Sequence, residues 1–160
     1  MDALDSKILA ALMGDGRMTW AELALALDLS APAAAERVRR LVERGAIRGF
    51  TALVDAQAAG CPLLAFVAVT LRRPQDRPAF LALVESLDEV QECHHVAGDD
   101  DYVLKVRCRD TAHLEVLVTD RLKGLRGVTR TRTSIALATL KETTRLPLEP
   151  PDAAPGRGAR

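Results

Sequence analysis

The sequence predicts an α+β fold, in which a three-helix N-terminal unit precedes a βαββαβ unit, and three observations predict it. Apolar residues recur at helical spacing through the first fifty residues. From Leu63 onward, alternating strand-like stretches take turns with helical ones. The two regimes meet at Gly60-Cys61-Pro62, a cluster that punctuates structure. These marks divide the chain into a helical domain at 1–50, a linker strand or hinge at 51–62, a sheet domain at 63–146 and a Pro-rich tail at 147–160, expected to be mobile.

The first helix is expected from Asp5 to Met13, with Ile8, Leu9 and Leu12 on one face and Gly14-Asp15-Gly16 as its stop. Thr19 is a good N-cap for a second, short helix, because Glu22 three residues on completes a capping box ahead of Leu23, Ala24 and Leu27. Asp28-Leu29 makes a tight link. Ser30 then caps a third helix that starts at Ala31, with Pro32 in its first turn, where the missing N–H costs nothing. It runs to about Arg44, Val38 and Leu41 inward, Glu36, Arg37, Arg40, Glu43 and Arg44 outward, and Gly45 ends it. Ala46 to Val54 reads as a small strand pair or a strand leading away.

In the second half, strands are expected at Leu63–Leu71, Glu89–Ala97, Tyr102–Arg109 and Val128–Leu140, with helices at Asp76–Leu87 and Thr111–Leu122. The order is that of the ferredoxin-like split βαβ unit, whose two crossovers each have a helix long enough to return right-handedly over the sheet.

Composition narrows the function. Hydrophobic residues make up 48% but aromatics only 3%, so the cores must be aliphatic. The 22 Lys and Arg balance 22 Asp and Glu, so any nucleic-acid footprint must be local. No apolar run reaches a membrane span and the N-terminus lacks a signal-peptide plan, which predicts a cytoplasmic protein. Cys61, Cys93 and Cys108 are odd in number and widely spaced, as reduced, partly buried thiols would be. No catalytic triad, P-loop or dinucleotide fingerprint occurs, so neither enzyme chemistry nor a cofactor is expected.

Two helices joined by a tight turn, the second entered through Ser-x-Pro, have the layout of a helix-turn-helix. From Ser30 to Phe50 five arginines face two glutamates, a local excess inside a neutral chain. One reading is a double-stranded DNA footprint, with Ser30, Arg37 and Arg40 at base edges, Ala31 and Ala33 presenting methyl groups to thymine, and Arg44 at phosphate. The other is a solvated face of i,i+3 and i,i+4 pairs with Glu36 and Glu43. The three-helix context favours DNA.

Gly98, Asp99, Asp100, Asp101 and Tyr102 join two strands, and three adjacent carboxylates admit three readings. They form a solvated hairpin turn, a weak divalent-metal site, or a site where Asp101 or Asp99 takes a ligand ammonium while N–H groups near Gly98 take its carboxylate. Cys93-His94-His95 does not suggest zinc, because adjacent strand residues point to opposite faces.

As a set these residues resemble the Lrp/AsnC (leucine-responsive regulatory protein and asparagine regulator) family of prokaryotic transcription factors. The resemblance rests on Leu4-Asp5-x-x-Ile8-Leu9, Asp15-Gly16-Arg17, Glu22-Leu23-Ala24, Leu29-Ser30, Arg37-Val38-x-x-Leu41 and Gly45-x-Ile47-x-Gly49-Phe50. It continues through Val90-x-Glu92-Cys93, Val96-x-Gly98-Asp99-x-Asp101-Tyr102, Gly127-Val128, Thr131-x-Thr133, Lys141 and Leu146-Pro147-Leu148. The ordered series covers roughly nine-tenths of the chain.

The resemblance implies a winged or plain helix-turn-helix, a linker strand, and a ferredoxin-like effector domain that dimerises through its sheet and assembles into tetramers, octamers or larger discs. It places Ser30, Arg37 and Arg40 at DNA, and it makes the Gly98–Tyr102 loop the lining of an amino-acid site between dimers, with Thr131 or Thr133 nearby. This chain departs from the family in its alanines at Ala33 to Ala35, and in Asp100, where an aromatic is often found. That carboxylate would enlarge the pocket, favour a basic effector or weaken binding. Two other readings remain: a sirohaem-decarboxylase-like enzyme of the same fold, with His94, His95, Arg107 and Arg109 as its loose candidates, and an effector-independent architectural DNA-binding protein.

Overall fold

Residues 1–148 are described by the computed structural model, and the tail from 149 on lies outside them. The described residues form two compact units, one of Met1–Ala52 with the chain from Lys141 onward, the other Leu53–Leu140.

The first unit contains α1 (Ala3–Gly14), α2 (Trp20–Leu27) and α3 (Ala31–Glu43). Each begins with a side chain satisfying an orphan N–H. Asp2 and Asp5 form a reciprocal box at α1, so this helix starts two residues before the expected Asp5. Thr19 and Glu22 form the expected box at α2, and Ser30 accepts from the Ala33 N–H at α3. Asp28 turns the chain out of α2 at φ 54°, where a short polar side chain is tolerated, and its neighbour Leu29 returns an N–H to the Ala24 carbonyl. Ile8, Leu23, Ala24, Ala34, Val38, Leu41 and Ile47 make the core.

The strand expected within Ala46–Val54 does not form. Ile47 is anchored by its N–H to the Leu41 carbonyl, but Phe50, Leu53 and Val54 are exposed. The described residues offer this stretch no partner strand, and an unpaired strand leaves its backbone groups to water.

The second unit runs β1 (Leu63–Leu71), a 3-10 turn (Pro74–Asp76), α4 (Arg77–Glu85), β2 (Val90–His95), β3 (Tyr102–Cys108), α5 (Thr111–Val116), which continues as a π-helical turn through Leu122, and β4 (Val128–Ile135). The sheet order is β2-β3-β1-β4 with every pair antiparallel, as the ferredoxin-like reading requires. The final strand stops at Ile135 rather than Leu140. Its partner β1 begins at Leu63, Ile135 already lies opposite Ala65, and one bond beyond, from the Ala136 N–H to the Leu64 carbonyl, ends the pairing.

Ala65, Val67 and Val69 of β1 and Tyr102, Leu104, Val106 and Cys108 of β3 share the face that Phe80, Leu87, Leu114, Leu117 and Leu122 cover. The outer face carries Leu64, Phe66 and Ala68 beside Val103, Lys105 and Arg107, and neither α4 nor α5 packs there. Gly127 allows a close approach between the last loop and the start of α4. A Cβ there would lie 2.7 Å from the Asp76 side chain, and its φ of 117° suits glycine alone.

Phe80 is fully buried and its ring centroid sits 4.7 Å from that of Tyr102. Phe80→Ala should therefore cost about 3–5 kcal/mol, read from the urea unfolding midpoint of the second unit.

Candidate functional site

In the first unit α3 carries Arg37, Arg39 and Arg40 with Arg44 at its C-cap, and the structure disposes of that charge unevenly. Arg37, expected at DNA, instead reaches back to α1: Nη1 lies 2.7 Å from Asp2 Oδ2 and 2.8 Å from Asp5 Oδ1. Asp5 is buried, so the arginine supplies the countercharge a buried carboxylate requires. Its bond from Arg37, and then the Asp5 N–H, hold the Asp2 carboxyl below the usual range. Arg37 thus orients α3 against α1.

Arg39 pairs with both Glu36 and Glu43, and Arg40 Nε donates to Glu36 at 2.9 Å. This is the solvated-face arrangement, in which the pairs contribute little to stability but hold the guanidinium groups. Bonds from Arg39 and then Arg40 lower the Glu36 carboxyl to about 2. The pairing is therefore fully present above the ordinary value of 4.5 and is lost as pH falls through about 2. Arg44, at the C-terminal end of α3, and Arg48 have no charged partner among the described residues. Ser30 is engaged in capping, Ala31 packs half-buried against the core, and Ala33 is exposed.

In the second unit the Gly98–Tyr102 loop folds over the end of β1. The Asp101 N–H donates to the Val69 carbonyl at 3.0 Å, while its Oδ2 accepts the Leu71 N–H at 2.7 Å. Asp100 turns to the other face and is buried, with Arg130, Arg132 and the Thr70 hydroxyl donating to its carboxylate at 3.0, 2.6 and 3.2 Å. The Asp99 carbonyl accepts from Arg130. Gly98 makes the turn at φ 137°.

The Asp100 and Asp101 carboxylates therefore diverge, and the charge at Asp100 is neutralised within the chain. Thr131 lies opposite Val69, one strand from where Asp101 docks, and is half-buried. Thr133 lies opposite Val67, roughly 6–7 Å further along the strand, so the two threonines are not equivalent neighbours of the loop.

Asp101 and Tyr102 form one wall of a cavity of about 440 Å³. Leu71 and Pro74 supply apolar surface, Arg72, Arg73 and Arg77 supply cations, and His95 stacks on Tyr102 with ring centroids 5.1 Å apart. The volume lies within the range of small-molecule sites. The arginines at its rim were missed in the sequence, since no pattern ties 72–77 to a loop some thirty residues on.

The histidines separate as strand geometry requires. His95 faces the cavity, whereas His94 lies on the outer face with Glu92 at 3.0 Å, so His94, His95, Arg107 and Arg109 do not converge on one pocket. His113 is engaged elsewhere, Nε2 against Glu89 and Nδ1 accepting the Arg109 N–H. Burial pushes the Cys93 and Cys108 thiols up, away from thiolate chemistry.

Both units match known families at the residues just described. The AsnC-type helix-turn-helix domain matches residues 1–42, and the Lrp/AsnC ligand binding domain matches residues 64–146. The chain belongs to the Lrp/AsnC family. It is 41% identical over 148 residues to the leucine-responsive regulatory protein of Salmonella typhimurium, spanning 91% of this chain and 90% of that one. A transcriptional regulator of Neisseria meningitidis in complex with L-Met superposes at a TM-score of 0.88 with 32% identity, over 92% of this chain and 96% of that one. The feast or famine regulatory protein of M. tuberculosis, complexed with L-methionine, does so at 0.82 with 39% identity, over 91% and 97%. These Lrp/AsnC relatives are named as regulators, and this chain is a transcriptional regulator of the same kind.

The charge distribution on α3 predicts how salt acts on DNA binding by this Lrp/AsnC chain, since each phosphate neutralised adds about 0.9 to the log–log slope. In fluorescence anisotropy, Arg44→Ala should flatten the slope by about one such step, and Glu36→Gln, which frees Arg40 and leaves Arg39 to Glu43 alone, should tighten binding and steepen it. Arg37→Ala should leave the slope unchanged and lower the melting temperature.

Proposed function

We propose that this chain regulates transcription by binding double-stranded DNA through α3 and changing its assembly or its DNA affinity when an amino acid occupies the cavity beside Asp101. The observation that carries this reading is the cavity itself, which sets a carboxylate, suited to an ammonium, among guanidinium groups suited to a carboxylate. Relatives crystallised with L-methionine support the amino-acid class.

A dimer would set two reading helices in successive major grooves, and the outer sheet face supports dimerisation through the sheet. Phe66 is 42% exposed there, between the buried Leu64 and Ala68 and opposite Lys105, on a face that no helix of its own unit covers. Such dimers would assemble further, to tetramers or octamers. Among the described residues no helix is long and apolar enough to cross a membrane, and the protein acts on DNA in the cytoplasm. Effector control then means that the ligand binds one assembly more tightly than another, with couplings of about 1–3 kcal/mol.

The test is salt-dependent binding to the DNA upstream of the protein's own gene, repeated with each proteinogenic amino acid. A shift with one of them supports the reading, and a flat response to all leaves an effector-independent DNA-binding protein. Asp101→Asn keeps an oxygen for the Leu71 N–H but removes the charge, so it should abolish the amino-acid response and spare DNA binding. Phe66→Glu should shift the sedimentation coefficient toward the monomer.

A further inference from the structure

The cavity beside Asp101 holds more positive charge than a neutral amino acid can satisfy. A zwitterion brings one ammonium, for Asp101, and one carboxylate, for a single guanidinium. Asp101 has only its Oδ2 bound, by the Leu71 N–H, which leaves Oδ1 for an ammonium.

On the cationic side, Arg73 leans on Asp76 at 3.4 Å, but Arg72 and Arg77 have no charged partner among the described residues. One of these two binds the α-carboxylate and the other is left facing the ligand side chain. The only apolar wall comes from Leu71, Pro74 and the Tyr102 ring, with exposed arginines opposite, which is poor lining for an aliphatic side chain. Asp100 cannot offset the excess, because it lies on the other face in the hands of Arg130 and Arg132.

We infer that the effector is an acidic amino acid, aspartate or glutamate, whose side-chain carboxylate takes the second of Arg72 and Arg77. The inference rests on the proposed amino-acid response and deepens it. It reverses the charge expected of an effector if Asp100 had faced the pocket.

Isothermal titration calorimetry on the full chain tests it with L-glutamate, L-aspartate, L-leucine, L-methionine, L-lysine, succinate and inorganic phosphate. Glutamate or aspartate should bind at least about tenfold more tightly than any of the others. Arg72→Gln with Arg77→Gln should remove that preference, while Arg72→Lys with Arg77→Lys, which keeps the charge but loses the planar fork, should retain part of it.

Tightest binding by leucine, methionine or lysine overturns the acidic class and leaves the amino-acid response standing. Succinate or phosphate binding as tightly as glutamate overturns it too, because Asp101 would then select nothing. Absence of binding by every amino acid overturns the proposed response together with this inference.

Discussion

The second unit depends on how the end of its central strand is closed. Strand β1 is paired on both sides, but its pairing with β3 ends at Val69, opposite Tyr102, while β1 runs on to Leu71, so main-chain groups on that edge need partners from elsewhere. The Asp101 side chain and N–H supply them, acting as a short surrogate for a neighbouring strand. The same residue therefore closes the sheet and faces the cavity. Asp100, its neighbour, clamps the loop to β4 from the opposite side, so the loop is pinned across three strands before any ligand arrives. A ligand at Asp101, as proposed, would pull on the backbone of β1 and, through the loop, on β4, without requiring a flexible lid.

The first unit meets a different constraint, set by a chain whose formal charge is zero. A helix that reads DNA needs cations, yet cations on a neutral protein find carboxylates close by. On α3 the glutamates one turn away hold Arg39 and Arg40, while the aspartates of α1 hold Arg37. Phosphates must displace these partners to use the side chains, which lowers non-specific attraction and leaves discrimination to the few groups already free.

Local chemistry was legible in the sequence and distant pairing was not. The Thr19–Glu22 box, the Ser30 cap, the apolar stripes of α2 and α3 and the succession of strands and helices along the second unit all follow from residues within a few positions of one another. The partners of Arg37 were opaque because they lie more than thirty residues earlier, and an outward helical position says nothing of what another helix brings to it. Asp100 was opaque for the same reason, with Arg130 and Arg132 reaching it across two strands. The overlong last strand and the missing strand near Phe50 share another cause, in that alternation marks a segment able to pair but only a neighbour of matching length makes it do so. The family motifs located the loop at Asp101, whereas the arginines that set the cavity's charge lie outside every motif.

The described residues hold two hydrophobic cores with no buried residue in common, seven residues in the helical unit and twelve in the sheet unit. Small cores shield less apolar surface per ordered residue, so the helical unit is the weaker of the two. Where each core unfolds as its own cooperative block, heating in a calorimeter melts the protein in two transitions, the helical block first. Between those temperatures the sheet unit would stay folded and keep its cavity, a state in which effector binding and DNA binding are thermodynamically uncoupled.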